Sequence, residues 1–234
     1  MFHYENFCNS FLFFSSTINN VFTQDADGLL QKVRDKLNLV NNYEANAIMK
    51  TDVSFLKVPK ANVTVYFEKP DKLKIKNEKG ISFVPKGAVS INLNNIISGN
   101  KFTVIDAGNS MVGAKEVKIL KLLPEDDNNN VIFLTIYVDE KNEVIVKAKT
   151  TTKDNGTYEL DMKYGRYLEY GLPDDVVFIF NAKDYKMPKG ITFDYDEASI
   201  NNKTADKNND KQGRIEIIYS SYIINKGVSD EVFK

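Results

Sequence analysis

The sequence predicts a mainly β protein made of a single domain. Apolar and polar residues alternate with a period of two over most of the chain, which is typical of strands with one buried face. Turn-forming residues separate these runs, and the pair Asn155-Gly156 is the strongest hairpin signal because both residues tolerate positive φ. Hydrophobic residues make up 42% of the 234 residues, so the chain can bury one sizeable core.

One segment near the start has a helical period instead. Between Asp25 and Val40 the apolar residues recur at spacings of three and four, which predicts an amphipathic helix. Asp25 or Asp27 can cap its first turn, because a carboxylate accepts hydrogen bonds from the free N–H groups there. Such a helix packs its apolar stripe against a sheet or closes an opening. A second, short helix is predicted from Asn92 to Ser98, with Gly99 beyond its end.

Strands are predicted throughout the rest of the chain. Two of them, at 131–138 and 176–180, are apolar on both faces, so a covering layer of helices, a second sheet or a ligand is expected. A two-sheet sandwich would give the same pattern. The polar stretch from Ser199 to Gly213 is predicted to be a flexible loop. The predicted strands are 43–58, 63–68, 73–76, 81–84, 115–123, 131–138, 143–151, 157–162, 176–180, 191–195 and 214–224.

The first 24 residues are predicted to be a leader that precedes a domain of residues 25–234. The apolar patch Phe11–Phe14 is far shorter than the ~20 residues of a membrane span. The start carries Glu5 and no Lys or Arg, which makes it an atypical secretory signal. A mature chain could nevertheless begin near Gln24, just before the predicted helix, and we expect an exported protein.

The composition excludes several classes of chemistry. His3 and Cys8 are the only histidine and cysteine, so the body of the protein lacks the residues for Ser-His-Asp triads, Cys-His dyads, His-ligated metals and disulfides. The 31 basic and 32 acidic residues nearly cancel, which argues against nucleic acid as a partner. A carboxylate-based glycosidase using Asp174-Asp175 or Asp194 and Asp196 is an alternative. The lack of Trp disfavours it, and we expect no enzyme activity, metal or cofactor.

Three segments together resemble a known family. Asp25–Leu30 opens a helix that a long strand follows, and Phe67–Ile75 contains a Lys-Pro pair followed by a basic alternating strand. Ile217–Asn225, followed by Gly227–Phe233, is similar to a closing strand. These segments resemble the periplasmic outer-membrane lipoprotein carriers (LolA/LolB-like), in the form found in Bacteroidetes-type bacteria.

The resemblance implies an incomplete antiparallel β-barrel, a half-barrel whose concave apolar face is covered by helices. It implies a periplasmic carrier of the acyl chains of lipoproteins or other lipids, without a cofactor, that works between an inner-membrane donor and an outer-membrane acceptor. Family carriers use an arginine on an early strand as a latch. Here no arginine lies between Arg34 and Arg166, so that latch is absent or replaced.

Alternation and the resemblance together predict which side chains line the cavity. In this hypothesis the helix from Asp25 to Val40 acts as a lid, and inward-facing side chains of the early and middle strands contact the ligand. The alternative is an envelope interaction or sensor module with a filled β-sandwich core and no ligand. The predicted lining residues are Phe55, Val63, Val65, Phe67, Leu73, Ile75, Leu134, Ile136, Phe178 and Phe180.

Overall fold

The computed structural model describes residues 19–53, 56–77, 93–154, 156–181 and 212–233. Within these ranges the chain forms ten strands, two α-helices and two 3-10 turns. The helices are α1 (Asn19–Asn38) and α2 (Leu93–Ser98), and the 3-10 turns are Leu168–Tyr170 and Asp230–Val232. The strands are β1 (Asn42–Val53), β2 (Leu56–Glu68), β3 (Lys72–Asn77), β4 (Phe102–Val112), β5 (Lys115–Pro124), β6 (Val131–Asp139), β7 (Val144–Thr152), β8 (Gly156–Lys163), β9 (Asp175–Asn181) and β10 (Gln212–Ile224).

All ten strands belong to one antiparallel sheet in the order β3-β2-β1-β10-β9-β8-β7-β6-β5-β4. The last strand pairs with the first, so β10 joins the N-terminal strands to the long meander β4–β9. Among the described residues the sheet does not close, and β3 and β4 are its two edges. The predicted incomplete antiparallel barrel is therefore confirmed. The alternative of a two-sheet sandwich is wrong, because the strands form a single sheet.

The core lies between α1 and one face of the sheet. Leu29, Leu30 and Val33 form the predicted apolar stripe of α1 and are buried. Facing them, alternate residues in the middle of three strands are buried, as strand geometry requires: Ala45, Ala47 and Met49 in β1, Val63, Val65 and Phe67 in β2, and Ile215, Ile217 and Tyr219 in β10. Helix α1 also contacts β4, β7 and α2, so one helix bridges distant parts of the sheet. A smaller cluster of Val117, Val144 and Val146 is separate from this core and packs against Tyr164 and Leu168.

Several element boundaries differ from the prediction. The segment 43–58 is two strands, since the chain reverses between Val53 and Leu56 and β2 continues through Pro59. The β1–β2 register shifts opposite that proline, and a bulge is where a sheet tolerates a residue without an N–H donor. Strand β4 is absent from the prediction. It contains a bulge of the β4–β5 pair, where Gly108 has a φ of +82°.

The two ends of the prediction also change. Helix α1 begins at Asn19, inside the predicted leader of residues 1–24. Strand β10 begins at Gln212, so the last two residues of the predicted loop 199–213 are strand. The rest of that loop, residues 1–18 and the predicted strands 81–84 and 191–195 lie outside the described residues. Neither helix in the described part of the chain has the length and hydropathy to cross a bilayer.

Candidate ligand-binding cavity

An apolar cavity of about 110 Å³ lies between α1 and the sheet, and we call it the α1 cavity. Helix α1 covers it with Val33 and Leu37, and the segment Gly171–Pro173 closes one side. Lys36 and Glu143 are the charged side chains on its lining. Strand residues that line it are Tyr43, Val65, Phe67, Leu73, Ile75, Val144, Ile145, Met162, Val176, Ile217 and Tyr219.

Strands β2 and β3 supply a compact apolar patch on this lining. In the register of the pair, Val65 lies opposite Ile75 and Phe67 lies opposite Leu73. Directly opposed side chains on one face of an antiparallel pair lie close enough to pack together. Val65, Phe67 and Ile75 are buried, and Leu73 is half-buried. The four side chains therefore form one continuous wall of the cavity.

An aromatic cluster around strand β10 adjoins this wall through Tyr43. The ring of Tyr43 lies 5.2 Å from Phe67 and 5.3 Å from Tyr222. Tyr222 also stacks on Tyr219 at 4.9 Å and meets the edge of Tyr167 at 4.9 Å. Rings at these separations attract each other beyond the area that they bury. Tyr43 and Tyr219 are the members of this cluster that line the cavity, and Tyr222 and Tyr167 pack behind them.

Four tyrosine hydroxyl groups lie in this region. Those of Tyr43 and Tyr219 belong to rings that line the α1 cavity. Tyr222 donates to the carbonyl oxygen of Pro173 at 2.7 Å, and Tyr164 donates to that of Ile145 at 2.8 Å. Burial raises the pKa of all four phenols, and that of Tyr219 reaches about 12. The four groups are therefore neutral hydroxyls at physiological pH.

Polar contacts at the rim attach α1 to the sheet. Lys36 donates to the carbonyl oxygen of Asn142, and the amine of Lys32 lies 4.0 Å from the Glu143 carboxylate. Gly171 packs against Lys36, since a Cβ atom at that position would lie 3.3 Å from Lys36 Cγ. Its φ of +65° also favours glycine there.

Helix α1 is attached to α2 through one side chain. Arg34 donates to the carbonyl oxygens of Ile97 and Asn100, both at 2.9 Å. Ile97 is fully buried and belongs to the same core as α1. The two helices therefore cover the concave face as a connected pair.

The structure places the predicted lining residues in two groups. Val65, Phe67, Leu73 and Ile75 line the α1 cavity. The others in the described chain are buried in the core around it, away from the cavity surface: Val63, Leu134, Ile136, Phe178 and Phe180. Phe55 lies outside the described residues. That any of these residues contacts a ligand stays a prediction.

Sequence reasoning missed the tyrosines. The alternation of β1 would have placed Tyr43 on the inner face, with Ala45 and Ala47. The two tyrosines of β10 were harder, since Tyr219 and Tyr222 are three residues apart and alternation puts such residues on opposite faces. Ser220 is the extra residue of a bulge opposite Asn46 and Ala47, so both tyrosines face inward.

The candidate carboxylate pair Asp174-Asp175 is engaged in ion pairs. Arg166 donates its backbone N–H to Asp174 Oδ2 at 3.0 Å, and its guanidinium lies 3.3 Å from Oδ1. Asp175 pairs with Lys163 at 3.1 Å. Asp194 and Asp196 lie outside the described residues. In the ranges that the structure covers, no three residues of the metal-ligating types cluster.

The open sheet with a helix over its concave face defines a class, the LolA-like half-barrel. A LolA superfamily protein from Nitrosomonas europaea matches with a TM-score of 0.55 and 12% identity, over 89% of this chain and 97% of that one. A domain from Vibrio parahaemolyticus that carries the name outer membrane lipoprotein-sorting protein matches with a TM-score of 0.55 and 9% identity, over 89% of this chain and 97% of that one. A DUF1329 family protein from Desulfovibrio piger matches with a TM-score of 0.53 and 12% identity, over 91% of this chain and 97% of that one.

These identities are low, so the likeness shows the fold alone. At that level the LolA/LolB-like resemblance is confirmed, while the Bacteroidetes-type assignment stays a prediction. No family model and no curated protein matches the sequence.

Proposed function

We propose that the protein is an exported carrier or binding protein for the acyl chains of lipoproteins or other lipids, which it holds in the α1 cavity. The observation that carries this proposal is the apolar wall of Val65, Phe67, Leu73 and Ile75 beneath α1. A half-barrel of the same fold carries the name of a lipoprotein-sorting domain, which supports the proposal. In this function the chain works in the periplasm, between an inner-membrane donor and an outer-membrane acceptor.

Burial of the acyl chain would supply the binding energy. Each methylene moved from water to an apolar site contributes about 0.8 kcal/mol. A cavity of about 150 Å³ accepts a benzene molecule, and the α1 cavity has about 110 Å³. A long acyl chain therefore needs more room than this state provides.

Helices α1 and α2 are the elements that can provide that room. They cover the concave face without belonging to the sheet, so they can move while the strand pairing stays intact. Arg34 joins them, and the contacts of Lys32 and Lys36 hold α1 to the β6–β7 turn. Ligand entry would proceed by displacement of this helical pair.

Native mass spectrometry of protein purified without detergent, followed by lipid extraction, tests the proposal. A bound acylated species that is lost on mild denaturation would support a carrier. A clean apo mass, with no uptake of added lipids, would contradict it and favour an interaction or sensor module without a ligand.

A pair of variants tests the location of the site. Leu73→Glu places a carboxylate in the cavity wall, and Thr64→Glu places one at an equally half-buried position on the other face of the sheet. We expect Leu73→Glu to weaken binding of a fluorescent fatty acid more than about tenfold, since the bound acyl chain would cover the new charge and remove it from water. Thr64→Glu should bind as wild type does. Equal binding by both folded variants would rule out the α1 cavity.

A further inference from the structure

We propose that the mouth of the α1 cavity binds a zwitterionic lipid headgroup, with Lys36 beside its phosphate and Glu143 beside its ammonium. The inference rests on the proposed function and specifies its ligand class. The ligand would be a phospholipid that carries both charges, rather than a free fatty acid or a purely anionic phospholipid.

The mouth is formed where three elements meet. Lys36 lies in the last turn of α1, Glu143 ends the turn between β6 and β7, and Tyr170 precedes Gly171 on the segment that closes one side. Tyr170 is 36% exposed, and Lys36 and Glu143 are half-buried, whereas most strand residues of the lining are buried. The headgroup of a lipid whose chain fills the cavity would therefore emerge between one positive and one negative side chain.

Lys36 is held in place at this mouth and keeps free donors. Its stem packs against Gly171, where a Cβ atom would lie 3.3 Å from Lys36 Cγ. Its ammonium donates to the carbonyl oxygen of Asn142 at 2.5 Å, the one acceptor that it has among the described residues. A lysine ammonium carries three N–H donors, so two remain for a phosphate.

Glu143 is a carboxylate without a close partner. Among the described residues its one ion-pair partner is Lys32, whose amine lies 4.0 Å away and whose side chain is 64% exposed, so the pair is weak. Glu143 also has a φ of +55°, which residues other than glycine rarely adopt. Residues in such conformations cluster at functional sites. Glycine would relieve this strain, but it would remove the charge from the mouth.

The two charges together select a zwitterion. Within the described part of the chain, Lys36 makes no ion pair and the partner of Glu143 is Lys32, so neither charge neutralises the other in a direct contact. An anionic headgroup would be attracted by Lys36 and repelled by Glu143, and a cationic headgroup would meet the reverse. A headgroup with both charges gains from each side chain, because opposite potentials then face each other.

The test uses three surfactants that share a decyl chain and differ in charge. Decylphosphocholine, decyl phosphate and decyltrimethylammonium each displace the neutral dye N-phenyl-1-naphthylamine, and the readout is the ratio of their affinities. We expect the wild type to prefer the zwitterion. Glu143→Gln should lower the phosphocholine-to-phosphate ratio about two- to fivefold, the value of a partly exposed ion pair. Lys36→Met should lower the phosphocholine-to-trimethylammonium ratio by a similar factor.

Two controls change the same charges in the same turn. Glu140→Gln and Lys141→Met affect exposed side chains outside the cavity lining, so both ratios should stay at the wild-type values. Glu143→Gly removes the carboxylate and relieves the positive φ. It should therefore raise the midpoint of thermal unfolding and lower the phosphocholine-to-phosphate ratio as Glu143→Gln does. An equal loss in Glu140→Gln would mean that the charge of the whole turn is responsible, and would overturn the assignment to Glu143.

The outcomes separate this inference from the proposed function. If neither the dye nor any surfactant binds the wild type, the proposed function fails. If the surfactants bind and Glu143→Gln leaves the ratios unchanged, the headgroup site is wrong while the cavity stands. Lysophosphatidylethanolamine and lysophosphatidylglycerol with the same acyl chain then test natural headgroups. We expect the wild type to prefer the ethanolamine lipid and Glu143→Gln to lose that preference, and equal binding of both lipids by the wild type would overturn the inference.

Discussion

Arg34 on α1 donates from its Nε atom to the carbonyl oxygen of Ile97 on α2, at 2.9 Å. Its Nη2 atom donates to the carbonyl oxygen of Asn100, also at 2.9 Å. Helix α2 has only six residues, too few for a helix that is stable by itself. The guanidinium therefore satisfies carbonyl groups that the short helix leaves free at its C-terminal end. A helical arginine thus holds the two covering helices together.

Replacement of this arginine should loosen α2. Arg34→Met keeps the aliphatic length and removes both donors, so we expect a loss of about 1–3 kcal/mol in the free energy of unfolding. Amide hydrogen exchange of residues 93–100 should become faster, and ligand uptake should accelerate with it. Denaturant unfolding and exchange mass spectrometry measure these effects.

Lys32→Met is the matched control on the same helix. Lys32 is 64% exposed and its ion pair with Glu143 spans 4.0 Å, so its loss should change stability by less than about 0.5 kcal/mol. Exchange of α2 should then match the wild type. Unchanged exchange in Arg34→Met would mean that apolar contacts alone hold α2.

The spacing of apolar residues and of turn residues was enough to predict the buried faces of several elements and one hairpin. The apolar stripe of α1 and the alternation of Val63, Val65 and Phe67 identified buried faces correctly. The hairpin signal at Asn155-Gly156 lies between β7 and β8, which pair as predicted. The half-barrel architecture came from the resemblance, since alternation alone also allowed a sandwich.

Bulges and distant partners explain what the patterns missed. Tyr219 and Tyr222 share a face because of one extra residue, and β1 and Arg166 hold that residue from far away in the sequence. Strand β4, which was not predicted, also contains a bulge, at Gly108. The position of α1 decides which inward-facing strand residues line the cavity and which are packed in the core, and a strand's own sequence does not contain this information. Leu134 and Val65 are both inward-facing apolar residues, but Val65 lines the cavity and Leu134 lies in the core.

Gly213 is required by the ring that it faces. It pairs with Phe180 across β10 and β9, and a Cβ atom at this position would lie 2.4 Å from Phe180 Cζ. The ring cannot easily retreat, because it stacks on Phe178 at 5.1 Å. We expect Gly213→Ala to lower the free energy of unfolding by about 1–3 kcal/mol through overpacking. Urea denaturation provides the measurement.

Gly28, unlike Gly213, has room for a larger side chain. It is exposed in the middle of α1, and a Cβ atom there would meet nothing within 4 Å. Gly28→Ala should raise stability by up to about 1 kcal/mol, because alanine is the better helix former. The assignment of Gly213 would be refuted if both substitutions stabilised the protein.

Asp139 should contribute stability that is lost in acid. Burial by itself would raise the pKa of this carboxyl group, but hydrogen bonds from Asn142 and Lys115 outweigh it and leave the pKa below its ordinary value. A lowered native pKa means that the stabilisation is present above the unfolded pKa of about 3.9 and is lost as the pH falls through the native value.

Asp139→Asn should therefore be less stable than the wild type at neutral pH and lose less stability below about pH 4. The measurement is the free energy of unfolding as a function of pH. Glu125→Gln, which removes an exposed carboxylate, is the control and should follow the wild-type curve. Parallel curves for the wild type and Asp139→Asn would show that Asp139 is not the group responsible.

The buried phenols should make the protein sensitive to alkali. Burial raises the pKa of Tyr219 to about 12, and it also raises those of Tyr43, Tyr164 and Tyr222. The unfolded chain releases these protons near pH 10, so the folded state binds more protons above that value and its stability falls as the pH rises. Tyrosinate absorbance from these four phenols should then appear together with unfolding. Tyr219→Phe removes one of these groups and should flatten the loss of stability between about pH 10 and pH 12. A single absorbance step for all tyrosines, in protein that circular dichroism shows to be folded, would mean that the tyrosine cluster is accessible to solvent.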